Sequence, residues 1–384
     1  MPIRVGLNLV YLVPGETGGM EVYARELIPA LVEAAAGRVE LVAFVNREAA
    51  QARDGPWSEL IPSVTVPVRA RNRVEWVRGE QQLLPRLSRS AGIDVLHSLA
   101  STAPAQTAAR RVVTIHDLIY RVYPEAHAGV LTVGMRVLVR LAARRSNRVI
   151  AVSASTRDDL VRFLRVPEAK IDVVPQGVGQ TARTAPMPER QLRARHGLGD
   201  RPVALSVSAK RPHKNLLRLL EALALLPADR RPVLVLPGYP TWHERELRAR
   251  AASLGVTQDV RFLDWVQDAE LEGLYAIAGA VVLPSLYEGF GLPVLEAMRR
   301  EVPVACADRS SLPEVAGDAA LFFDPERPEE IAAAMSRLLD DREEADRRRE
   351  AGLAQAARFT WEATARGTLG SYERALGRGP GGGS

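Results

Sequence analysis

Short apolar runs alternate with longer amphipathic stretches along almost the whole chain. The runs have the length of buried strands, and the stretches between them show the period of a helix. Strands that alternate with helices are typical of parallel, doubly wound sheets that helices cover on both faces. The pattern therefore predicts an α/β protein with two Rossmann-like sheets. The predicted strands are Ile3–Val10, Val39–Val45, Ile93–His97, Val112–Ile115 and Val149–Val152, then Val203–Val207, Val233–Leu236, Val260–Leu263, Val281–Leu283, Val302–Ala305 and Ala320–Phe323, and the predicted helices include Glu21–Ala36, Leu216–Leu226 and Glu329–Leu339.

The alternation breaks once, at residues 177–188, which are rich in Gly, Thr and Pro. Such a segment is typical of a linker between domains. Ligands of doubly wound sheets bind at the carboxyl ends of the strands, so a cleft between two facing sheets is the expected site. The predicted divisions are a first domain over 1–178, a linker over 179–195, a second domain over 196–358, a final helix within 359–376 and a disordered Gly-rich tail over 377–384.

Composition narrows the class of protein. Apolar residues make up 47% of the chain and charged residues 25%, which is ordinary for a globular protein. The sequence contains no apolar run long enough to cross a membrane, and Ile3–Val10 is predicted as a strand rather than a signal peptide. The single cysteine, Cys306, excludes a disulfide within the chain. A cytoplasmic location is therefore expected.

The net charge of +5 comes almost entirely from arginine. An arginine-rich composition with a modest net charge does not indicate nucleic-acid binding. Lysine occurs only at Lys170, Lys210 and Lys214, so each lysine stands out as a candidate for a specific role.

The most informative segment is 283–298, with the sequence LPSLYEGFGLPVLEAM. A strand end leads into a turn that contains Gly291, and Pro293 suits the first turn of a helix. Amides at the start of a helix attract phosphate, and the carboxylates of Glu288 and Glu296 can accept hydrogen bonds from sugar hydroxyls. An ordinary strand–turn–helix with two solvated glutamates is the alternative.

A basic loop, SVSAKRPHKN, follows the first strand of the second domain, at residues 206–215. Lys210 and Lys214 lie within five residues of each other in this loop. The lysine ammonium is a compact charge that suits phosphate, so the loop is a candidate phosphate site. A solvated basic turn is the alternative.

Two segments of the first domain also carry candidate residues. His116 directly follows a predicted strand, where a polar group is well placed to contact a ligand. Gly18 and Gly19 lie between the first strand and the first helix, where they would present backbone amides. A structural role remains the alternative for His116, and more so for His97, which also ends a strand; a plain turn is the alternative for the glycines.

Together these segments resemble glycosyltransferase family 4, a large group of retaining GT-B enzymes, over nearly the whole chain. The most specific match is the Glu-x7-Glu motif from Glu288 to Glu296. Supporting matches are Gly18-Gly19, His116-Asp117-Leu118, Val152-Ser-Ala-Ser155, Arg211-Pro-His-Lys-Asn215, Ser311-Leu-Pro-Glu-Val315 and Phe359-Thr-Trp-Glu362, the last at the start of a helix that crosses back to the first domain in that fold.

The resemblance implies a role for each matched position. Glu296 would hold the ribose hydroxyls of a nucleotide sugar, and Glu288 would contact the transferred sugar. Lys210 and Lys214 would neutralise the diphosphate, and His116 would lie against the sugar. The further residues implied in binding the sugar donor are Gly18, Gly19, Arg211, Trp265, Val266, Phe290, Gly291 and Leu292, with the nucleobase near Trp265 and Val266.

The basic loop departs from the family pattern. Many members have an arginine where this chain has Lys210 or His213, and Ser208 stands where glycine is usual. The positive charge of the loop is retained, which fits phosphate binding. The assignment between Lys210 and Arg211 is left open.

The family resemblance implies a mechanism without a metal or another cofactor. No Asp-x-Asp motif occurs, and lysines with helix-start amides can stabilise a departing nucleoside diphosphate. No residue stands out as a covalent nucleophile, so attack from the face of the leaving group is predicted. The substrates implied are a nucleotide sugar and a hydroxyl of a glycan, lipid-linked or small-molecule acceptor. The Pro-His-Lys-Asn form of the loop favours mannose from GDP-mannose.

Three alternatives follow from the same sequence. The chain could be another GT-B enzyme, such as a phosphorylase or a nucleotide-sugar epimerase, or a non-catalytic nucleotide-sugar-binding protein. Basic groups could also bind an anionic membrane peripherally, at the inner face of the cell membrane, which would suit a lipid-linked acceptor. A solvated arginine-rich helix is the alternative to membrane binding. The basic groups are Arg69, Arg71, Arg73 and Arg78, and Arg136, Arg140, Arg144, Arg145 and Arg148 within Leu131–Arg148.

Overall fold

The computed structural model describes residues 2–124, 130–179 and 184–378, without the side chains of 130–133. The chain divides into two compact units. Unit 1 comprises Met1–Gly177 with Phe359–Ser384, and unit 2 comprises Val178–Arg358. Each unit contains one wholly parallel sheet with helices, so the predicted fold class of two parallel α/β sheets is confirmed.

The sheet of unit 1 has seven strands in the order β3-β2-β1-β4-β5-β6-β7. The first strand of the chain, Ile3–Leu9, lies inside the sheet and buries Val5 and Leu7 completely, as expected of a strand that helices cover on both faces. Leu27 of the first helix and Tyr372 of the last helix pack in the same core cluster. The strands are β1 Ile3–Leu9, β2 Val39–Val45, β3 Ser63–Thr65, β4 Val95–Ser98, β5 Arg110–Ile115, β6 Arg148–Ala151 and β7 Ile171–Val173.

The helices of unit 1 come from both ends of the sequence. The final helix packs against the first one and is part of this unit. A π-helical turn, Gly79–Leu83, interrupts the helical segment between the third and fourth strands. The helices are α1 Gly19–Ala35, α2 Arg47–Ala52, α3 Pro56–Glu59, α4 Arg73–Arg78, α5 Leu84–Ser90, α6 Ile119–Val122, α7 Val130–Arg145, α8 Ala154–Leu164 and, numbered last in chain order, α17 Trp361–Ala375.

The sheet of unit 2 has six parallel strands in the order β10-β9-β8-β11-β12-β13. Its first long helix, Leu216–Leu225, buries leucines at helical spacing, which is the pattern that predicted it. The strands are β8 Val203–Leu205, β9 Val233–Leu236, β10 Val260–Phe262, β11 Ala278–Leu283, β12 Val304–Ala307 and β13 Leu321–Phe323. The helices are α9 Glu189–His196, α10 Leu216–Leu225, α11 Glu244–Ser253, α12 Asp268–Ile277, α13 Leu292–Arg299, α14 Leu312–Ala316, α15 Pro328–Asp340 and α16 Arg342–Ala356.

The segment predicted as a linker, 179–195, differs from the prediction at its carboxyl end. Helix α9 lies there, and Leu192 is completely buried in unit 2. The Met187 N–H also donates to the Ala269 carbonyl oxygen at 2.7 Å, which fixes the approach to the helix. The apolar signal of this helix is a single leucine, which is too weak for a periodicity to reveal. Residues 180–183 of the predicted linker and 379–384 of the predicted disordered tail lie outside the described residues.

The basic helix predicted over Leu131–Arg148 ends at Arg145, and Arg148 begins strand β6 instead. Arg148 Nε donates to Asp172 Oδ2 at 2.9 Å, and Arg144 Nε donates to the Leu164 carbonyl oxygen at 2.9 Å. Both arginines therefore bind protein groups. None of the described helices is long and apolar enough to cross a membrane. Binding to an anionic membrane stays a prediction.

Candidate active site

The strongest charged contact among the predicted site residues joins Lys214 to Glu288. Lys214 Nζ donates to Glu288 Oε1 at 2.6 Å and to Oε2 at 2.8 Å. Lys214 closes a 3₁₀ turn in the loop after β8, and Glu288 lies in the loop after β11. Because β8 and β11 are adjacent parallel strands, their carboxyl ends bring the two loops together. Both side chains are largely buried, so the pair is shielded from water.

A glycine, Gly291, lies immediately before helix α13 and three residues after Glu288. Gly291 has φ +106°, a conformation that side chains disfavour, and a Cβ there would lie 2.8 Å from Leu312 Cδ2. The helix begins at Leu292 with Pro293 in its first turn. The first amides of a helix have no partner within the helix, so this turn is a suitable phosphate site.

Two serines that sequence reasoning did not identify as site residues hold this turn. The Ser310 hydroxyl donates to the Glu288 carbonyl oxygen at 2.7 Å, and the Ser311 hydroxyl donates to the Phe290 carbonyl oxygen at 2.8 Å. Both follow strand β12, the neighbour of β11. Their position directly after a buried strand was the signal that could have found them.

Glu296, the second glutamate of the motif, has a different environment. It lies on α13, where the Tyr275 hydroxyl donates to its Oε2 at 3.1 Å. Burial raises the pKa of this carboxyl above its ordinary value, and the nearby Arg300 guanidinium opposes that rise. Glu296 is thus held by a neutral hydrogen-bond donor, whereas Glu288 is held by a cation.

Lys210 does not share the environment of Lys214. Its side chain is completely buried, and its Nζ donates to the carbonyl oxygens of Gly238 and Leu263, each at 2.6 Å. Burial lowers its pKa, and Glu244, 3.7 Å away, counteracts that effect. The ammonium therefore ties together the segments after β9 and β10. This placement favours a structural role for Lys210 and leaves Lys214 as the lysine suited to phosphate, a distinction that spacing alone cannot make.

Arg211 lies between the two lysines and is half-buried. Its backbone N–H donates to the Ala209 carbonyl oxygen at 2.8 Å, which tightens the loop. The Asn215 side chain closes the same loop, where its amide donates to the carbonyl oxygens of Pro284 at 3.1 Å and Pro325 at 2.7 Å. Asn215 directly precedes helix α10, but its side chain binds these two carbonyls and does not cap the helix.

An aromatic pair lies at the carboxyl ends of two adjacent strands, β9 and β10. The rings of Tyr239 and Trp265 stack, with centroids 4.7 Å apart and planes 24° apart. Trp265 is 59% exposed, and Val266 beside it is half-buried. An exposed aromatic face is suited to a nucleobase. Tyr239 was not predicted, although its place directly after a buried strand was a usable signal.

In unit 1, the glycine loop leads into helix α1. Gly18 has φ +62°, and Gly19 is the first residue of the helix. Both have open space where a Cβ would lie, so their backbone is accessible to a ligand. Glu21 Oε2 accepts a hydrogen bond from the Gly15 N–H at 2.8 Å and so closes the loop.

His116 follows strand β5, as predicted, and both of its ring nitrogens have partners. Nε2 lies 2.7 Å from the Leu99 carbonyl oxygen, and Nδ1 lies 3.2 Å from Gln176 Nε2. The Tyr23 ring packs edge-on against the imidazole, with centroids 4.9 Å apart. Burial lowers the pKa of His116. Gln176 was not predicted, because Asp172 interrupts the apolar run of strand β7, which it follows.

His97 is completely buried in unit 1. Its Nδ1 forms a hydrogen bond with the Tyr372 hydroxyl at 2.7 Å, and its Nε2 forms one with Thr114 Oγ1 at 2.8 Å. Burial lowers its pKa to about 3. These contacts favour the structural alternative for His97, which joins helix α17 to the sheet.

A metal site would need several His, Cys, Asp or Glu side chains close together. Within residues 2–124, 130–179 and 184–378, no group of three His, Cys, Asp or Glu side chains is arranged to hold a metal ion. Metal independence of the reaction stays a prediction.

Comparison with known families matches both halves of the chain. Residues 17–180 match the model of Glycosyltransferase Family 4, and residues 188–355 match the model of Glycosyl transferases group 1. The chain is 33% identical over 276 residues to O-antigen chain mannosyltransferase B of Escherichia coli, across 69% of this chain and 70% of that protein.

A second relative and a solved structure extend the comparison. The chain is 32% identical over 254 residues to the MMP alpha-(1->4)-mannosyltransferase of Mycolicibacterium hassiacum, across 64% of this chain but only 58% of that protein. HepE of Anabaena, solved in complex with UDP and glucose, aligns with 96% of this chain and 100% of its own at a TM-score of 0.74 and 21% identity. The chain belongs to glycosyltransferase family 4, and it is a glycosyltransferase with the GT-B architecture.

Proposed function

We propose that the protein is a retaining glycosyltransferase that transfers a hexose, preferentially mannose, from a nucleotide diphosphate sugar to a hydroxyl of a glycan, lipid-linked or small-molecule acceptor. The observation that carries this proposal is the Lys214–Glu288 pair beside the glycine-initiated helix α13. This arrangement combines a cation, a carboxylate and helix-start amides in one loop region.

Each component suits one part of the sugar donor. In the proposal, the diphosphate binds the amides at Phe290, Gly291 and Leu292. The Lys214 ammonium also contacts the phosphate. Glu288 then accepts hydrogen bonds from hydroxyls of the transferred sugar. Without a ligand, the two side chains neutralise each other, so neither charge is left alone in a largely buried loop.

The remaining contacts are proposed for the nucleoside and the sugar. Glu296 is proposed to bind the ribose hydroxyls, and the exposed face of Trp265, with Val266, is proposed to bind the base. His116 and the amides near Gly18 and Gly19 are proposed to contact the sugar from unit 1. Arg211 is proposed to assist at the phosphates, and Lys210 is proposed to support the strand ends rather than to bind the ligand.

The proposed reaction is a front-face displacement. The bond from the anomeric carbon to the phosphate oxygen breaks, and the electron pair leaves with the nucleoside diphosphate. The acceptor oxygen bonds to the anomeric carbon on that same face, and its proton passes to the departing phosphate oxygen. Lys214 and the helix-start amides stabilise the charge that develops on the leaving group, which requires no metal in this scheme.

Support for mannose comes from the relatives rather than from the pocket. Two relatives carry mannosyltransferase in their names, one from Escherichia coli and one from Mycolicibacterium hassiacum. The structural neighbour HepE contains UDP and glucose, so UDP-glucose is the appropriate competing donor. GDP-mannose is therefore proposed as the preferred donor.

The test compares GDP-mannose with UDP-glucose on the full chain. GDP-mannose should raise the unfolding midpoint more than UDP-glucose does, because a ligand that binds the native state stabilises it. Release of GDP should persist in EDTA, and NMR of the product should show the α-anomer of the donor retained. An inverted product would disprove the mechanism, and loss of release in EDTA would disprove metal independence.

A further inference from the structure

The tautomer of His116 is determined by its partners. Nε2 lies 2.7 Å from the Leu99 carbonyl oxygen, and a carbonyl oxygen can only accept a hydrogen bond. Nε2 therefore carries a hydrogen. In a neutral imidazole the other nitrogen then has a lone pair, so Nδ1 is a hydrogen-bond acceptor.

Gln176 provides the matching donor. Its side-chain nitrogen lies 3.2 Å from His116 Nδ1, and the side chain is 5% exposed. The reversed amide would place its oxygen against Nδ1 and would require a hydrogen on both ring nitrogens, that is, an imidazolium. Burial disfavours the charged ring and lowers the pKa of His116. It therefore favours the neutral ring, and with it the amide orientation that points the Gln176 nitrogen toward Nδ1.

The charged and titratable groups around His116 do not reverse this preference for the neutral imidazole. Asp117, the next residue, raises the pKa of His116, but its effect is smaller than that of burial. His97, on the neighbouring strand β4, is itself held neutral by burial, which lowers its pKa to about 3. Tyr23 of α1 contributes a ring edge, and burial raises its pKa to about 12, so it carries no charge near neutrality.

The start of helix α17 holds Gln176 in place. The Thr364 hydroxyl donates to the Pro175 carbonyl oxygen at 2.9 Å, on one side of Gln176. On the other side, a Cβ on Gly177 would lie 2.4 Å from the Trp361 backbone nitrogen, so the two chain segments touch directly. The backbone on both sides of Gln176 is therefore fixed, which places its side chain beside His116.

We propose that Gln176 is a positioning residue that keeps His116 in the neutral tautomer with hydrogen on Nε2, so that the Nδ1 lone pair is available to a hydroxyl of the transferred sugar. The bond to Gln176, at 3.2 Å, is longer than the bond to Leu99, at 2.7 Å, so the Nδ1 side is the one that a hydroxyl displaces. This inference rests on the proposed function.

The tautomer is tested directly by two-bond ¹H–¹⁵N NMR of the imidazole rings in the full chain. A His116→Asn variant identifies the signal. At neutral pH the wild-type protein should show His116 with hydrogen on Nε2 and a bare Nδ1. A hydrogen on Nδ1, in either the neutral or the charged ring, would overturn the inference. This measurement needs no activity, so it stands even if the proposed transfer reaction is wrong.

Kinetics then test the role. In Gln176→Glu, a carboxylate beside Nδ1 should stabilise the imidazolium and move the acid limb of kcat/KM upward by about one pH unit. Gln176→Leu should lower kcat/KM roughly tenfold, because Nδ1 then has no hydrogen-bond donor beside it. The matched control is Gln51→Glu on the exposed surface of α2, which should change neither kcat/KM nor the position of its acid limb. An active Gln176→Glu enzyme whose acid limb stays in place would overturn the positioning role, whereas absence of transfer in the wild type with every sugar donor would overturn the proposed function instead.

Discussion

The loops at the carboxyl ends of the two sheets differ in electrostatic character, because one holds an ion pair and the other a neutral hydrogen-bonded ring. In unit 2, the loops after β8 and β11 join a lysine to a glutamate at 2.6 and 2.8 Å. In unit 1, the loop after β5 holds a histidine between a carbonyl oxygen and an amide, with no ionic partner to the ring among the described contacts. Charge is thus present where the proposed diphosphate binds, and neutral hydrogen-bonding groups are present where the proposed sugar binds.

The physical reason lies in the cost of burying charge. A buried charge without a partner is disfavoured, which is why burial lowers the pKa of both His97 and His116. Unit 2 instead retains a charge in a largely buried loop by pairing Lys214 with Glu288. A ligand that carries negative charge can replace the carboxylate as the partner of the lysine, and a neutral sugar cannot.

The largest effect is expected when the charge of unit 2 is removed. Lys214→Ala should lower kcat by roughly 10²–10³-fold, because the departing diphosphate loses its cation. Turnover of GDP-mannose under saturating conditions measures the change. Lys170→Ala is the matched control, since the Nζ of that lysine donates to the backbone carbonyl oxygens of Arg144 and Ser146 at 3.5 and 3.4 Å. Equal turnover in the two variants would show that Lys214 does not stabilise the departing diphosphate.

A second experiment separates the two lysines of the basic loop. Lys210→Met should reduce the free energy of unfolding by about 2–3 kcal/mol, because the carbonyl oxygens of Gly238 and Leu263 lose a buried partner. Lys214→Met leaves Glu288 without its partner in a largely buried loop, but it should reduce that free energy less than Lys210→Met does, because Glu288 keeps some contact with water whereas Lys210 is completely buried. Urea denaturation of both variants measures the difference. A loss below about 1 kcal/mol in Lys210→Met would show that Lys210 does not support the strand ends.

The smallest effect concerns Glu296. Burial raises its pKa, so the folded state favours the protonated carboxyl. Its contribution to stability is then fully present below the unfolded pKa, near 4.5, and is lost as pH rises through the folded value. Glu296→Gln should therefore stabilise the protein at neutral pH by less than about 1 kcal/mol.

The gain from Glu296→Gln should shrink as the pH falls through the raised folded pKa toward 4.5, and it should change no further below 4.5, where the carboxyl is protonated in both the folded and the unfolded protein. Thermal unfolding of wild type and variant across this pH range measures it. A gain that grows toward acid pH would mean that the carboxylate, not the acid, is favoured in the folded protein.

Much of the fold follows from local patterns. The short apolar runs predict β2 and β9 with the bounds that the structure has, because buried strands in a parallel sheet are nearly continuous runs of apolar residues. The edge strands β3 and β7 have three residues each and were not predicted. Strand β3 contains Ser63 and Thr65, and strand β7 contains Asp172, so neither forms a continuous apolar run, and pairing with a neighbouring strand defines them.

The candidate site is predicted less completely, and the reason is again physical. The Glu288–Glu296 segment is recognisable because its glycines, proline and carboxylates lie close together in sequence. The burial of Lys210 and the contact between Gln176 and His116 depend on partners 28 and 60 residues away. No local pattern carries that information.

Unit 1 is built from two separate segments of the sequence, which has a consequence for biosynthesis. Its last helix, α17, follows all of unit 2 in the sequence, and its Tyr372 completes the core around His97. During synthesis on the ribosome, unit 2 is a continuous segment that can fold when Arg358 emerges, whereas unit 1 must wait for helix α17. A chain cut short within α17 would therefore damage the unit whose first strand is β1.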